Sequence, residues 1–314
     1  MNYHLYFHND LDGMASGAVM LNFLRSRGDN IISFNPIDYA PEIYKGWVNY
    51  RFKKPFILLD FRYHSAASWW FDHHGTSFDS PSLSSWKKKY RNSVTHYRDP
   101  KCKSCCGMIL FHLKKYFSFN APSYIKELAK WADIIDSAGY KSARDALDYS
   151  KPAMQFSLFL SNDNNLKNRP SLLKKLAEKS LEEIVSEKSI KTKISQLISG
   201  QNKALQNSKK SSKLYKRAAF LDATNADSDY NHFMIYLAYP NIKYSVILEK
   251  TGNSYHLGVG KNPWVKSLGK VDVGNLMLRY CGGGHKNVGA TQSSSKKEIV
   301  KIAEKVIEYL DNHE

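Results

Sequence analysis

Short apolar runs alternate with longer helical patterns in the first part of the chain. Residues 3–7 and 31–37 have the composition of β-strands, and residues 14–24 combine apolar with small side chains, which is typical of a buried helix. Residues 55–61 form a nearly continuous apolar run, as does Trp69-Trp70-Phe71. Such runs indicate parallel strands that are covered on both faces. Strands that alternate with helices predict a doubly wound α/β domain built on a parallel sheet.

The middle of the chain has the spacing of helices and little strand character. Residues 76–101 are rich in Ser and Lys and are predicted to form a loop, whereas helices are predicted at 105–117, 121–138 and 165–207. Residues 207–217 are polar and basic, as in a linker.

A second unit is predicted after this basic stretch. Apolar strand patterns recur near residues 218–221, 245–249 and 255–259. Helices are expected at 230–239 and 271–280, and an amphipathic helix at 296–310 ends the chain. The order predicts a smaller α+β domain. The expected organisation is therefore a first domain at 1–190, a helical and basic linker at 191–217, and a C-terminal domain at 218–314.

The charge of the chain narrows the class of partner. The 314 residues carry a formal net charge of +17, with a pI near 9.5. This balance favours polyanions such as nucleic acids or nucleotides, although a basic host proteome or a gain in solubility would also explain it. The sequence has neither a run long enough to span a membrane nor the start of a signal peptide. We therefore expect a cytoplasmic protein with no membrane partner.

Three polar clusters follow predicted strands. They are His8-Asn9-Asp10-Leu11-Asp12-Gly13, Asp60, and Asp72-His73-His74. Each cluster alone is also typical of a turn with helix caps. Because ligands bind beyond the carboxyl ends of parallel strands, all three are expected to converge on one crevice. Carboxylates with imidazoles favour Mn²⁺ or another transition metal over Mg²⁺ alone.

Other candidates lie further along the chain. Asp133 and Asp136 share one helix face, and either could be a ligand while the other forms a cap or an ion pair. The run Gly282-Gly283-Gly284-His285-Lys286 is predicted to be a glycine loop that contacts phosphate, although glycine loops are often only tight turns. The spacing Cys102-x-x-Cys105 lacks a second pair, so reduced cysteines near a helix start are favoured over a zinc site.

These motifs, in this order, resemble the DHH superfamily of phosphoesterases. The resemblance rests on His8-x-Asp10-x-Asp12-Gly13, Asp60, Asp72-His73-His74, an acid on a later helix, and Gly282-Gly283-Gly284-His285. The fourth motif matches Asp133 best and Asp136 second. The usual Ala-Ala-Gly tail of the last motif is altered to Val288-Gly289-Ala290. The resemblance spans nearly the whole chain.

The resemblance implies a centre of two Mn²⁺ ions, with Mg²⁺ as the alternative. His8 and Asp10 would bind one ion, Asp12, His73 and Asp133 would bind the other, and Asp60 would bridge them. His74 would contact a phosphate oxygen, and Asp72 would orient a neighbouring histidine. The loop from Gly282 to Lys286, with His285, would hold a substrate phosphate.

The substrate is less strongly indicated than the chemistry. We expect a manganese-dependent phosphodiesterase that hydrolyses short oligonucleotides or dinucleotides to 5′-mononucleotides. The alternatives are a single-strand-specific exonuclease, a pyrophosphate or polyphosphate hydrolase, and a nucleic-acid-binding protein without catalysis. Tyr255, Trp264 and Tyr280 are candidates for stacking on bases, although a core position is favoured for each alone. A homodimer is left open.

Overall fold

The computed structural model describes all residues except 39–42, 44–45, 164, 226–229 and 314, and it does not describe the side chain of His285. The chain forms two compact units. The first comprises Met1–Gly139 and Ser150–Ile194, and the second comprises Tyr140–Tyr149 and Ser195–Glu314. Among the described helices, none has the length and hydropathy that a membrane crossing requires.

The first unit is built on a five-stranded sheet in which every pairing is parallel. Its strands, in spatial order, are β2 (Asn30–Ile37), β1 (Asn2–His8), β3 (Phe56–Leu59), β4 (Trp69–Asp72) and β5 (His96–Arg98). All residues of β3 and β4 are buried. Both faces of these strands are therefore covered, which explains their continuous apolar sequences.

Several helices of the first unit pack against this sheet or against one another. They are α1 (Leu11–Ser26), α3 (Cys105–Phe117), α4 (Ser123–Asp136), α6 (Pro152–Ser161), α7 (Arg169–Glu178) and α8 (Leu181–Ser186). Helix α1 packs against α3, α4 and α7. Its residues are buried over nearly the whole length, because Gly17 and Ala18 let neighbouring elements approach closely.

An aromatic cluster packs against the strands. Trp47, Phe52, Phe61 and Phe78 surround the strand residues Phe56 and Trp70. The segment predicted to be a loop at 76–101 contributes to this cover, so that prediction is wrong in part. It contains a 3₁₀ turn (Pro81–Leu83), helix α2 (Ser84–Lys89) and strand β5. These elements are too short to show a hydrophobic period, and tertiary packing decides their conformation.

The second unit contains a six-stranded mixed sheet. Its order is β10 (Gly283–His285), β11 (Val288–Ser293), β9 (Ser254–Lys261), β8 (Tyr244–Thr251), β7 (Ala218–Asp222) and β6 (Ser212–Leu214). One face packs on helices α11 (Val273–Leu278) and α12 (Lys296–Asn312) through a core that includes Tyr244, Val246 and Leu257. Helices α5 (Ala143–Ala146) and α10 (Met234–Ala238) complete the unit. A parallel α/β unit with a smaller α+β unit is the predicted fold class.

Three local predictions differ from the structure. The helix predicted to end at residue 207 continues to Ser211 in α9 (Lys188–Ser211), and β6 follows it. The helix predicted at 230–239 is only the five residues of α10. The predicted glycine loop is partly strand β10, which pairs antiparallel with β11.

Candidate metal centre

Three parallel strands of the first unit bring the polar clusters to one edge of the sheet. Phe7 of β1 pairs with Leu59 of β3, and Leu59 pairs with Phe71 of β4. The residues that follow these positions are His8, Asp60 and Asp72. They therefore leave the sheet at the same level, which is the convergence that the sequence predicts.

Asp60 lies between two groups of candidate ligands. Its Oδ2 atom is 3.6 Å from His8 Nδ1, and its Oδ1 atom is 3.6 Å from His73 Nε2. His8, Asp10 and Asp60 form one group that could hold an ion, and Asp12, His73 and Asp136 form a second. A third arrangement combines Asp60 with His73 and His74. One carboxylate thus faces both groups through different oxygens.

The backbone holds Asp60 in an uncommon conformation. Its φ angle of 56° lies in the left-handed region, which non-glycine residues rarely occupy. The Asp60 N–H donates to the carbonyl of Phe71 at 2.8 Å. Such strain persists where surrounding structure enforces it, and it is concentrated at functional sites.

The first group is organised by the start of helix α1. Asp10 is the N-cap of this helix, and its Oδ1 atom accepts from the Gly13 N–H at 2.9 Å. Its Oδ2 atom lies 3.0 Å from His8 Nδ1. Burial alone would raise the pKa of Asp10, but the charge and hydrogen bond of His8 lower it overall. A Cβ at Gly13 would lie 2.2 Å from the His8 carbonyl oxygen, so this turn needs glycine.

The second group is organised by the start of helix α3. The Cys105 and Cys106 N–H groups donate to the two oxygens of Asp12 at 2.7 and 2.8 Å. Ser104 is the N-cap of this helix. The Asp12 carboxylate therefore lies at a helix N-terminus, where negative charge is stabilised. Cys105 and Cys106 therefore act here through their backbone N–H groups and not through their thiols.

The cluster has the properties expected of a site for divalent ions. Burial, followed by the charge of Asp10, raises the pKa of Asp60 well above its usual value, and burial with the charges of Asp60 and Asp136 does the same for Asp12. The buried atoms Asp60 Oδ1 and His73 Nε2 have no hydrogen-bond partner within the described part of the chain. Cations would satisfy these atoms and offset the repulsion between the carboxylates. Mixed carboxylate and imidazole donors fit Mn²⁺ and related ions.

The structure places Asp136, rather than Asp133, in the second group. Asp136 Oδ2 lies 3.4 Å from His73 Nε2. Asp133 instead accepts a hydrogen bond from Ser104 Oγ at 2.5 Å and lies beside Gly107. The geometry therefore favours Asp136 over Asp133 as the fourth-motif acid, and the ligand role of either acid stays a prediction. The two acids are three positions apart on α4, a rotation of about 300° at 100° per residue, so periodicity alone did not distinguish them.

The two histidines of the triplet have different surroundings. His73 Nδ1 lies 3.2 Å from the Cys102 carbonyl, which directs Nε2 toward Asp12 and Asp136. His74 Nδ1 lies 2.7 Å from Oδ1 of the fully buried Asp72. Burial opposes protonation of His74, but the hydrogen bond and charge of Asp72 outweigh it and raise the pKa of His74 to about 9.

Asp72 is itself held by residues that the sequence did not indicate. The Ser77 hydroxyl donates to Asp72 Oδ2. Arg98 at the end of β5 donates from Nε to Ser77 Oγ and to the His74 carbonyl, both at 2.9 Å. No motif contains Ser77 or Arg98, because the fold alone brings them to the triplet.

A cavity of about 510 Å³ opens beside the cluster within the first unit. Asp10, Asp12 and Asp136 line it on one side, and Ser157 and Ser161 of α6 line it on another. The buried Arg169 also borders the cavity and donates to the Asn9 carbonyl at 3.0 Å. It thereby fixes the turn of the first motif.

The glycine run of the second unit is shaped by the β10–β11 hairpin. A Cβ at Gly282 would lie 2.2 Å from the Ala290 carbonyl oxygen, and one at Gly284 would lie 2.3 Å from that of Val288. Gly284 also has a φ angle of 146°. Close backbone packing thus explains these two glycines. Phosphate contact by Gly282, Gly283, Gly284, His285 and Lys286 remains a prediction.

The three aromatic candidates have structural partners. Trp264 packs against Phe233 and Tyr236 and donates from Nε1 to the Tyr140 carbonyl at 2.9 Å. Tyr255 and Tyr280 pack against the core of the second unit. These contacts account for all three residues.

Comparison with known proteins identifies the class of fold. Neither known family models nor curated protein sequences match this chain. Solved structures do match, and those described here belong to the DHH superfamily of phosphoesterases. The likeness to these structures shows the fold of the chain, which is the fold that the resemblance implies.

Among the similar structures is the pGpG-specific phosphodiesterase PggH from Vibrio cholerae. The match has a TM-score of 0.75 at 20% identity and covers 98% of this chain and 99% of that one. RecJ from Thermus thermophilus in complex with Mn²⁺ matches with a TM-score of 0.56 at 12% identity, over 100% of this chain and 52% of its own. An exopolyphosphatase-related protein from Bacteroides fragilis matches with a TM-score of 0.51 at 15% identity, over 98% and 92% of the two chains.

Proposed function

We propose that this protein is a metal-dependent phosphodiesterase that hydrolyses short oligonucleotides, linear dinucleotides foremost, to 5′-mononucleotides. The observation that carries the proposal is the position of Asp60, whose two oxygens face separate groups of candidate ligands. A carboxylate shared in this way is the arrangement by which two cations are held close together.

The residues that would hold the ions follow from the geometry. His8 and Asp10 with Asp60 Oδ2 would bind one ion, and Asp12, His73 and Asp136 with Asp60 Oδ1 would bind the other. When bound, a pair of Mn²⁺ or Mg²⁺ ions lowers the pKa of water and neutralises charge on the phosphoryl oxygens. The N–H groups at the start of α3 keep Asp12 in place.

His74 is the residue that would act on the substrate directly. In the metal-free protein the hydrogen bond and charge of Asp72 raise the pKa of His74 to about 9, so the imidazole is protonated there at neutral pH. Because Nδ1 is directed at Asp72, Nε2 is the nitrogen that would donate to a phosphoryl oxygen as negative charge develops there. Asp72, Ser77 and Arg98 act by orienting this imidazole.

Three observations support the substrate class: the similarity to a solved structure, the size of the cavity and the net charge of the chain. One similarity that covers both chains almost completely is to a phosphodiesterase of a linear dinucleotide. The cavity of about 510 Å³ beside the cluster suits a nucleotide unit rather than a folded nucleic acid. The net charge of +17 favours a polyanionic substrate.

Purified protein with Mn²⁺ should be assayed against pGpG, pApA, a labelled five-nucleotide RNA, single-stranded DNA and pyrophosphate. We expect hydrolysis of the dinucleotides and the short RNA, with mononucleotides as products. Processive degradation of long single-stranded DNA would favour the exonuclease alternative. Cleavage of pyrophosphate alone would exclude the proposal, and salt-dependent binding of DNA without any hydrolysis would favour a binding protein.

Asp60→Asn is the decisive variant, and Glu127→Gln is its control. Glu127 is exposed on α4, so the control removes a carboxylate charge far from any ligand group. Activity should be lost in Asp60→Asn and kept in Glu127→Gln. Equal activity in the two variants would refute the shared role of Asp60.

A further inference from the structure

A groove of about 360 Å³ lies between helices α3 and α4 in the first unit. Its floor is apolar and is formed by the buried residues Phe119, Ala121 and Ala129. Its inner end is at Gly107, in the first turn of α3, and Asp133, in the last turn of α4. The volume is at the lower end of the roughly 300–1,000 Å³ found for ligand pockets, so the groove has room for about one nucleotide.

The inner end of the groove is next to the candidate metal centre. Asp133 accepts a hydrogen bond from Ser104, and Ser104 caps the helix whose first N–H groups hold Asp12. A Cβ at Gly107 would lie 2.3 Å from Asp133 Oδ1, so the close approach of the two helices needs glycine here. Asp136 follows Asp133 by three positions on α4, a rise of about 4.5 Å. A ligand in the groove would therefore lie about one helical turn from a candidate metal ligand.

The rim of the groove is basic. Lys114 of α3 and Lys126 and Lys130 of α4 line it, and all three are exposed. Lys126 Nζ donates to the amide oxygen of Asn120 at 2.8 Å, which is a neutral partner. Within the described part of the chain, none of the three lysines forms an ion pair with a carboxylate. Lys126 and Lys130 are about 6 Å apart along the helix axis, which is close to the separation of successive phosphates in a nucleic acid strand.

An exposed aromatic side chain lies beside these charges. Phe111 lines the groove and is 68% exposed. An apolar ring with so much surface in water is unusual unless it has a partner to cover it. Proteins that bind single-stranded nucleic acids combine a positively charged groove with aromatic side chains on which bases stack. The groove therefore has both parts of such a site.

Two other occupants fit the groove less well. In a two-fold dimer each patch faces its own copy, so the rim lysines of one protomer would lie against those of the other. An acidic peptide would satisfy the lysines but would offer no flat ring to Phe111. A nucleotide satisfies both features, because it carries phosphates and a base.

We propose that this groove binds one nucleotide of a single-stranded nucleic acid, with the base on Phe111 and its flanking phosphates at Lys126 and Lys130. The groove would hold a nucleotide of the substrate beyond those at the metal centre, and in this respect it rests on the proposed function. It would add affinity for oligonucleotides longer than a dinucleotide.

Binding of a fluorescently labelled five-nucleotide RNA to metal-free, full-length protein tests the groove without catalysis. Phe111→Ala should weaken binding about 5- to 100-fold, the range for loss of one stacked base. Tyr116→Ala, which removes an exposed aromatic ring from α3 outside the groove, is the control and should bind the RNA normally. Parental affinity in a folded Phe111→Ala would overturn the proposal.

The salt dependence of binding tests the phosphate contacts. In a variant that combines Lys126→Gln with Lys130→Gln, the slope of log affinity against log salt should become shallower by about 1.4, the value for two phosphate contacts on a single strand. Lys301→Gln with Lys305→Gln removes two exposed lysines at the same spacing from α12 and should keep the parental slope. An equal change in the two double variants would show an effect of net charge alone and would refute the assigned contacts.

Two measurements address the other occupants. A short glutamate peptide should not displace the RNA, and sedimentation should give Phe111→Ala the same molar mass as the parent protein. Displacement by the peptide would show an unselective anion surface. A lower mass for the variant would show that Phe111 contacts a second copy of the chain. Either result would overturn the proposal.

Hydrolysis assays with Mn²⁺ distinguish this proposal from the phosphodiesterase proposal. Phe111→Ala should raise KM for the five-nucleotide RNA about 5- to 100-fold and leave kcat/KM for pApA unchanged. If nothing is hydrolysed but RNA binding depends on Phe111 and the two lysines of α4, the groove stands and the phosphodiesterase proposal fails. If pApA is hydrolysed and Phe111→Ala changes neither the affinity nor the KM for the RNA, the phosphodiesterase proposal stands and the groove fails.

Discussion

The backbone N–H of Cys105 donates to Asp12 Oδ2 at 2.7 Å, so the first residue of α3 holds a candidate metal ligand ninety-three positions earlier in the chain. The next N–H, that of Cys106, holds the other oxygen. The position of Asp12 therefore depends on how well helix α3 begins, and this dependence can be measured.

Ser104→Ala should lower both stability and metal affinity. The substitution removes the N-cap bond to Gly107 and the hydrogen bond to Asp133, and a lost cap costs about 1 kcal/mol of unfolding free energy. Calorimetric titration with Mn²⁺ and chemical denaturation give the two quantities. Ser142→Ala removes a comparable cap from α5 in the second unit and should leave Mn²⁺ affinity unchanged. Weakened Mn²⁺ binding in the control as well would contradict a local effect at Asp12.

Asp136→Asn and Asp133→Asn should differ in metal content. Asp136 faces His73 Nε2, whereas Asp133 is bonded to Ser104. We expect the Asp136 variant to lose one of two bound Mn²⁺ ions, and kcat to fall at least about 100-fold, the scale for removing electrostatic stabilisation of a transition state. The Asp133 variant should retain two ions. Metal analysis after desalting measures the number of bound ions in each variant. Loss of an ion in the Asp133 variant alone would show that Asp133 is the ligand.

His74→Gln should lower kcat with little change in fold. The protonated imidazole is lost while Asp72 keeps its bonds to Ser77, so we expect a decrease of about 100- to 1,000-fold in kcat for a dinucleotide. Steady-state kinetics with saturating Mn²⁺ and circular dichroism provide the comparison. A change in KM alone would show that His74 serves ground-state binding.

Metal-free protein should lose stability as the pH rises from 6.5 to 9. The pKa of His74 is raised from 6.5 to about 9 in the folded state, so its contribution to stability is complete below pH 6.5 and is lost as the pH passes through 9. Burial also raises the pKa values of Asp12 and Asp60 in the folded state, which is a shift of the same sign. The His74 contribution is at most about 3 kcal/mol.

Melting temperatures measured with EDTA across this pH range test the linkage. His74→Gln should show a shallower decline than the parent protein. A melting temperature that rises between pH 6.5 and 9 in the parent would contradict the assigned direction. The titration of exposed groups is common to both proteins, so the difference between the two curves isolates His74.

Gly284→Ala should destabilise the second unit, and Gly283→Ala should not. A Cβ at Gly284 meets the Val288 carbonyl oxygen at 2.3 Å and the backbone has a φ angle of 146°, whereas a Cβ at Gly283 meets nothing within 4 Å. We expect a loss of more than about 2 kcal/mol for the first and less than about 0.5 kcal/mol for the second, in line with strained and unstrained surface positions. Comparable denaturation midpoints would show that the hairpin adjusts freely.

The sequence predicted the parallel sheet and its polar edge because each strand and the polar residue after it are adjacent in the sequence. Strand β3 and the first three residues of β4 are buried and apolar, and Asp60 and Asp72 follow these two runs. Strand β5 was missed because three residues carry no period, although its Arg98 supports the triplet. Long-range contacts of this kind leave no pattern in a single sequence.

The sequence predicted that the strand-end residues converge, as they do, but it did not decide between the two acids of the helix. Asp133 and Asp136 both fit the spacing, and only the rotation of α4 against α3 distinguishes them. The glycine run was predicted to contact phosphate, but its sequence could not show that Gly284 is required by the backbone of its own hairpin. Lys130 lies in an ordinary helical pattern, and only the packing of α3 against α4 places it in one groove with Phe111.

The segment Tyr140–Tyr149 belongs to the second unit although the chain before and after it belongs to the first. Its buried Ala146 and the bond between the Tyr140 carbonyl and Trp264 tie it there. Dissection of this protein at a single peptide bond would therefore not yield two self-sufficient halves. A fragment ending at residue 194 would contain residues 140–149 without the residues that pack against them. The complementary fragment would lack these ten residues of its own unit. To separate the two units by genetic engineering, residues 140–149 must be removed from the first unit and residue 139 joined to residue 150.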